Sequence, residues 1–232
     1  MWESTQDLLW RNASHRFTED LLRAFLYRLL QALDYLHSEA QLIHTDISAR
    51  NVLVEIADHS IITAFIKAEQ NHPSSRKVVN WYTIYASRGF DLPKCFGEPV
   101  LSDFGSAVSG DIGYDKYVQP DVYRSPEVCL QVTWSYSIDI WNVGVLIWDL
   151  FEAKFLFNRR DPEDSRYSTR QWRGEIPLSS PTSLDESEEN LEGNDQAAFL
   201  RFMRKMLQWD PERRQMAKQL LQDPWLTGVD TG

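Results

Sequence analysis

The sequence predicts a mainly α-helical fold carrying a few short strands, and three observations predict it. Residues 18–37 place apolar side chains at helical spacing, and residues 137–151 form an almost wholly apolar run of helical length. The runs at 51–54 and 98–103 are short and bounded by turn residues, as strands are. A chain of 232 residues with 43% hydrophobic and 12% aromatic residues has enough apolar side chain for one packed core, so a single folded domain is expected.

In chain order, residues 1–16 mix Trp, Glu, Asp, Arg and His and lack the apolar centre of a secretory signal. The first long helix follows Thr18 as N-cap, with Glu19 and Asp20 in its first turn. Its apolar stripe runs through Leu22, Phe25, Leu26, Leu29, Leu30, Leu33 and Leu36, one face turned to a core. Residues 41–43 lead directly into His44-Thr45-Asp46.

Asn51-Val52-Leu53-Val54 reads as a short strand, and residues 98–103 as another, ended by Gly105. Between them, residues 55–97 are an insertion, functional or partly mobile at that length. A small helix is expected around 64–68, then His72-Pro73-Ser74-Ser75-Arg76, then a strand-like Trp81-Tyr82-Thr83-Ile84-Tyr85. The helix at 137–151, with Trp141 and Trp148 among its apolar residues, must be buried nearly all round. Residues 178–194 carry Asp185, Glu186, Glu188, Glu189 and Glu192 with no base among them, which reads as a solvated acidic loop. An amphipathic helix at 197–207 and a last one starting at 217–221 complete the chain before Pro224-Trp225.

A net charge of −10 with no long basic run disfavours a nucleic-acid surface and favours basic partners. No stretch approaches the roughly 20 apolar residues of a membrane span. The two cysteines, Cys95 and Cys129, lack metal-ligand spacing and read as ordinary thiols of a reducing, intracellular compartment.

The chemistry-bearing residues come in a fixed order. His44-Thr45-Asp46-Ile47-Ser48-Ala49-Arg50-Asn51 has the spacing H-x-D-x-x-x-x-N, and Ser102-Asp103-Phe104-Gly105 supplies D-F-G. The first pattern alone is weak. Tyr123-Arg124-Ser125-Pro126-Glu127, then Asp139-Ile140-Trp141-Asn142-Val143-Gly144, then Asp210-Pro211-Glu212-Arg213-Arg214 follow in order, and the conjunction is strong. On these residues the chain resembles the eukaryotic protein kinase family, specifically its helical C-terminal lobe, over nearly its whole length. Taken alone, Asp139 would read as a structural helix-capping acid, and the aromatic residues as core.

Phosphoryl transfer asks a protein to align a hydroxyl with the γ-phosphate and to neutralise charge on phosphate oxygens. Asp46 would accept or orient the substrate hydroxyl, while Asn51 and Asp103 offer hard oxygen ligands to Mg²⁺ bound with ATP. The resemblance further implies that Leu53 packs under the adenine and that His44, Phe104 and Gly105 shape the loops. It also implies that Glu127 pairs with Arg214, and that Asp139 ties the helix start to the catalytic loop. The implied organisation is a start of the lobe at 1–17 and the lobe itself at 18–226. Within it fall the insertion at about 55–97 and the acidic loop at about 178–194, and a tail at 227–232 follows.

Departures from the family pattern narrow the resemblance. Thr45 replaces the Arg of H-R-D, which normally receives an activation-segment phosphate, and residues 106–122 contain no Thr. Activation without that phosphate is therefore expected. H-T-D with Tyr-Arg-Ser-Pro-Glu is most similar to the SR-protein kinases, which phosphorylate serine in Arg/Ser-rich proteins, and the long insertion resembles fungal members. Ser48 stands where serine/threonine kinases place a Lys, and Arg50 is the residue expected to reach the phosphate instead. Asp161, Glu163, Asp164 and the 185–192 acids are candidate docking groups for such basic substrates. No glycine-rich loop, strand Lys or partner Glu precedes the motifs, and the resemblance places the family's hinge, as an expectation, at or just before Met1. The expectation is a lobe inactive on its own, either a fragment, a shortened gene model or a degenerate kinase. The competing reading is a pseudokinase-like module that binds basic proteins without transferring phosphate.

Overall fold

The computed structural model describes residues 3–91, 97–157 and 183–228. In chain order the elements are β1 (Glu3–Ser4), α1 (Thr5–Arg11), α2 (Glu19–Ser38), β2 (Leu42–Ile43) and β3 (Val52–Val54). The insertion holds α3 (Ser60–Asn71), β4 (Arg76–Val79) and β5 (Tyr82–Tyr85). Then come β6 (Pro99–Leu101), β7 (Val108–Ser109), α4 (Pro126–Cys129) and α5 (Ser137–Glu152). The last elements are α6 (Leu184–Ser187), α7 (Gly193–Met206), α8 (Ala217–Leu220) and α9 (Pro224–Thr227). The lobe is mainly helical with short strands, as the sequence predicts.

Helix α2 begins where Thr18 stops being helical and its hydroxyl accepts the Leu21 N–H at 3.4 Å. Its seven apolar stripe positions are all buried in the main core, where α2 packs against α5, β6, α8 and α9. In α5 the residues from Ile138 to Trp148 are buried without interruption, so the helix is enclosed by protein on every side. Gly144 lets it approach the chain beyond α7, because a Cβ there would lie 2.8 Å from Leu207 Cδ2. Helix α7 presents Phe199, Leu200, Phe202, Met203 and Met206 to the same core, and Trp225 of α9 packs on Phe199 and Phe202 with ring centroids 5.2 and 4.8 Å apart. A second, smaller apolar cluster of Ile43, Val128, Trp134 and Ile138 underlies the segment around 108–118.

Three elements depart from the sequence expectation. The amino-terminal stretch forms β1 and a short α1, closed by a capping box in which Ser4 and Asp7 exchange bonds of 3.1 and 3.2 Å. Seven residues are too few to show a helical period. The insertion helix runs over Ser60–Asn71, longer than 64–68, and the strand-like 81–85 has a partner, β4, that the mixed Arg-Lys-Val-Val string did not announce.

The acidic loop is the third. Positions 178–182, with Asp161, Glu163, Asp164 and Cys95, lie outside the described residues. Residues 184–187 form a helical turn; Asp185, Glu186, Glu189 and Glu192 are exposed, as a solvated loop requires, and Glu188 is the exception. Glu188 is buried and accepts from the Asn190 and Leu191 N–H groups at 2.7 and 2.8 Å and from Gln196 at 2.8 Å. Asp185 pairs with Arg204, and Glu189 with Lys154. Bases distant in sequence supply the neutralisation that the local string lacks.

Candidate active site

Two antiparallel strands bring the candidate residues together. β3 pairs with β6 in a register that sets Val52 opposite Leu101, and the pairing continues as the Ser102 N–H and hydroxyl both reach the Asn51 carbonyl, at 2.8 and 2.9 Å. Asn51 ends the loop that enters β3 and Asp103 begins the loop that leaves β6, so the ladder places them side by side. On β3, Leu53 takes the opposite face from Val52, which is fully buried in the core. A cavity of about 620 Å³ between α1, α2 and Val54 therefore lies on the other side of this sheet from Leu53.

The loop between β2 and β3 is fixed by Asp139. That carboxylate is fully buried at the start of α5 and accepts the backbone N–H groups of His44 and Thr45 at 2.7 and 2.8 Å, and His37 Nε2 at 3.0 Å. Two successive amides on one carboxylate hold Thr45 at φ 69, a left-handed conformation costly for a β-branched residue. The Thr45 hydroxyl donates to the Ser106 carbonyl at 3.0 Å and so joins this loop to the segment after Asp-Phe-Gly. His44 Nδ1 accepts the Asp46 N–H at 3.3 Å, which leaves its Nε2–H to donate to the Ser102 carbonyl at 2.9 Å. Phe104, half exposed, packs edge-on against the His44 ring at 5.0 Å.

Asp46 is half-buried. Asn51 Nδ2 donates both to its backbone carbonyl, at 2.8 Å, and to its Oδ2, at 2.9 Å. Both amide protons of Asn51 are thereby used, and its oxygen is the group left for a cation. Burial pushes the Asp46 carboxyl up; the Asn51 bond and nearby His44 oppose this, and Asp103 adds repulsion. Asp103 is exposed at φ 61, with its Oδ1 accepting the Gly105 N–H at 3.3 Å. The donor set fits Mg²⁺, which takes one or two protein oxygens together with phosphate oxygens. Among the described residues no cluster of three or more His, Cys, Asp or Glu stands ready to hold a metal. Arg50 is exposed and its Nε donates to Gln6 Oε1 at 2.8 Å.

Glu127 and Arg214 meet as a buried bidentate pair, with bonds of 2.5 and 2.7 Å. Arg214 also donates to the Ser137 and Gln208 carbonyls at 3.0 and 2.8 Å and lies over the Trp141 ring at 5.0 Å. The pair clamps the start of α4 to the chain beyond α7 and to the start of α5.

Four residues in this framework escaped the motif reading. Thr5 is fully buried and its hydroxyl donates to the Val52 carbonyl at 2.8 Å. His37 continues the α2 apolar stripe four residues after Leu33, and a polar residue in a buried stripe was the available signal. Gln119 is buried with φ 68. Asp149 interrupts an otherwise apolar helix and accepts the Tyr123 hydroxyl, while its Oδ1 is buried without a partner.

Burial pushes the Asp149 carboxyl up to about 7, the Tyr123 bond opposing it. A carboxyl with its folded value above its unfolded one binds a proton more readily in the folded state. Its ionisation thus destabilises the fold progressively as pH rises from the normal Asp range through about 7, and fully above that. Asp149→Asn is expected to raise the melting temperature by roughly 3 °C at pH 8 and by less at pH 5.5. Melting curves at the two pH values check this, and an equal gain at both would contradict it.

Comparison with known proteins identifies the class. Residues 95–226 match the protein kinase domain, and residues 4–86 match the protein tyrosine and serine/threonine kinase family. The chain belongs to the protein kinase family. It is 44% identical over 242 residues to a serine/threonine protein kinase of Aspergillus fumigatus, covering 90% of this chain and 58% of that protein. It is 32% identical over 155 residues to the serine/threonine-protein kinase AFC3 of Arabidopsis thaliana, covering 67% of this chain and 35% of that protein. With the serine/threonine-protein kinase Doa of Drosophila melanogaster it shares 27% identity over 174 residues, 75% of this chain and 18% of that protein. The chain thus spans little more than half the length of its Aspergillus relative. No helix among the described residues is long and apolar enough to cross a membrane.

Proposed function

We propose that this chain is the substrate-binding lobe of a protein serine/threonine kinase that transfers the γ-phosphate of Mg·ATP to serine in basic, Arg/Ser-rich proteins. The observation that carries the reading is the convergence of Asp46, Asn51 and Asp103 at the ends of one strand pair, with both Asn51 amide protons given to Asp46. Asp46 receives or orients the proton of the substrate hydroxyl. Asn51 and Asp103 hold Mg²⁺, which when bound draws charge from the phosphate oxygens. Leu53 lies beneath the adenine, and His44, Phe104, Gly105 and Asp139 keep the two loops in register. The lobe occupies 18–226 with its insertion at about 55–97, and residues 1–17 lead into it.

The test is Mg·ATP-dependent phosphorylation of an Arg/Ser repeat peptide against an acidic serine peptide. The chain itself is compared with any longer product its gene encodes upstream of Met1. Transfer to the Arg/Ser peptide alone is the expected result for the longer product. Binding of the peptide without transfer would favour the interaction-module reading instead. One observation supports that second reading: Ser48 supplies no charge, and the Arg50 guanidinium is engaged by Gln6.

Activity is further proposed to need no activation-segment phosphate. Side chains of the segment itself hold it in place. The Gln119 amide donates to the Ile138 carbonyl at 2.9 Å and its oxygen accepts the Ser125 N–H at 2.9 Å. Arg124 donates to the Val118 and Gln119 carbonyls at 3.1 and 2.8 Å and lies 4.0 Å from the Tyr117 ring centroid. Phosphatase treatment is therefore expected to leave the rate unchanged, while Gln119→Ala lowers it by about tenfold or more through loss of two buried bonds. Loss of activity on phosphatase treatment would sink the proposal.

A further inference from the structure

The insertion ends in a two-stranded sheet that exposes far more apolar surface than a solvent-facing hairpin needs. Every residue of β4 and β5 is exposed, with Val78 at 65%, Tyr82 at 64% and Ile84 at 59%, and so is Trp81 in the turn between them, at 79%. An isolated two-stranded hairpin is marginal in water, and exposed aromatic and aliphatic groups on one element mark an interaction surface. The hairpin base is nonetheless fixed to α3. Glu69 accepts the Ser74 N–H and hydroxyl at 2.9 and 2.5 Å and pairs with Arg88 at 2.6 Å.

The register shows which backbone groups remain. Ala86 N–H bonds the Ser75 carbonyl at 2.7 Å, and the Cα partners are Arg76–Tyr85, Lys77–Ile84, Val78–Thr83 and Val79–Tyr82. Antiparallel pairs alternate between bonded and non-bonded, so Lys77 and Val79 bond inward while Arg76 and Val78 turn their N–H and C=O groups to the outer edge of β4. Among the described residues the sheet has no third strand. An edge of this kind is a template for strand addition.

Charge selects what adds to it. Residues 72–90 contain Arg76, Lys77 and Arg88 and no Asp or Glu, in a chain of net charge −10. Arg88 is matched by Glu69, whereas Arg76 and Lys77 are in no ion pair among the described residues. Successive strand residues face opposite sides, so each face offers one cation at one end and one valine at the other. We propose that the outer edge of β4 binds an extended acidic-apolar segment of another protein by strand addition, acids against Arg76 and Lys77 and aliphatic side chains against Val78 and Val79. Such a partner has the opposite charge to the proposed substrates, and this inference stands independently of the kinase reading.

The probe is a fluorescein-labelled peptide of repeated Glu-Glu-Val-Val, read by fluorescence anisotropy with the full chain. Binding at least about tenfold tighter than to the Lys-Lys-Val-Val peptide is expected. Val78→Pro removes one outward N–H without touching an internal hairpin bond, and Arg76→Glu with Lys77→Glu reverses the charge. Each is expected to weaken the acidic peptide by about tenfold with the melting temperature unchanged. Equal affinity for the two peptides, no binding, or indifference to either variant would overturn the proposal. So would binding of an oligouridylate in place of the peptide, or a dimer by light scattering that Val78→Pro dissolves, which would give the edge to RNA or to a second copy.

Discussion

In the longer gene product, Asp46→Asn is expected to lower phosphate transfer by about 10²–10⁴-fold without altering the fold. The substitution keeps shape and an acceptor oxygen, so the Asn51 amide at 2.9 Å retains a partner and the loop remains held by Asp139. What it removes is the basic carboxylate proposed to take or orient the hydroxyl proton. Because burial raises Asp46 above an ordinary aspartate, the acid limb of the rate profile should fall at a higher pH than a solvent-exposed carboxylate gives. Initial rates across pH 5–8, with circular dichroism and melting of both forms, check both parts. A variant that transfers phosphate at the unmodified rate would remove Asp46 from the mechanism.

Breaking the Glu127–Arg214 clamp should have the largest effect on stability. Arg214→Ala leaves the Glu127 carboxylate buried without its cation and strips the Ser137 and Gln208 carbonyls of their donor. Removal of one partner from a buried pair costs about 3–5 kcal/mol. For a domain of this size that corresponds to a fall in melting temperature of the order of 10 °C. The double change Glu127→Leu with Arg214→Met is expected to recover much of the loss, since two apolar side chains leave no uncompensated charge. A thermal double-mutant cycle measures the coupling, and a melting temperature for Arg214→Ala within a degree or two of the parent would contradict the clamp.

Much of this lobe was legible from the chain because the signals were local. The α2 stripe and its Thr18 cap, the continuous apolar run of α5, and the two short strands around the motifs are each set by neighbours within a few residues. The candidate site was legible for a related reason: Asp46 and Asn51 lie five residues apart, and Asp103 directly follows a readable strand. The short α1 gave no period, and β4 shows no alternation because neither of its faces is buried. Asp185 and Glu189 are exposed as read, but their pairing was not legible because Arg204 and Lys154 lie far from them in sequence.

The sequence by itself determined the types of the longer elements, the order of the motifs and the membership of a family whose chemistry needs two carboxylates and an amide. Only the tertiary structure decided how the loops are held. It chose the His44 and Thr45 amides as the partners through which Asp139 ties the loop, gave the Thr45 hydroxyl to Ser106, and set Asp149, partly buried, to accept from Tyr123. It also turned an insertion into a hairpin with a cationic, unpaired edge. The reason is common to all of these. Helical and strand periods are written in adjacent residues, whereas the partner of a buried polar group is chosen by packing across the chain, where distance along the sequence carries no information.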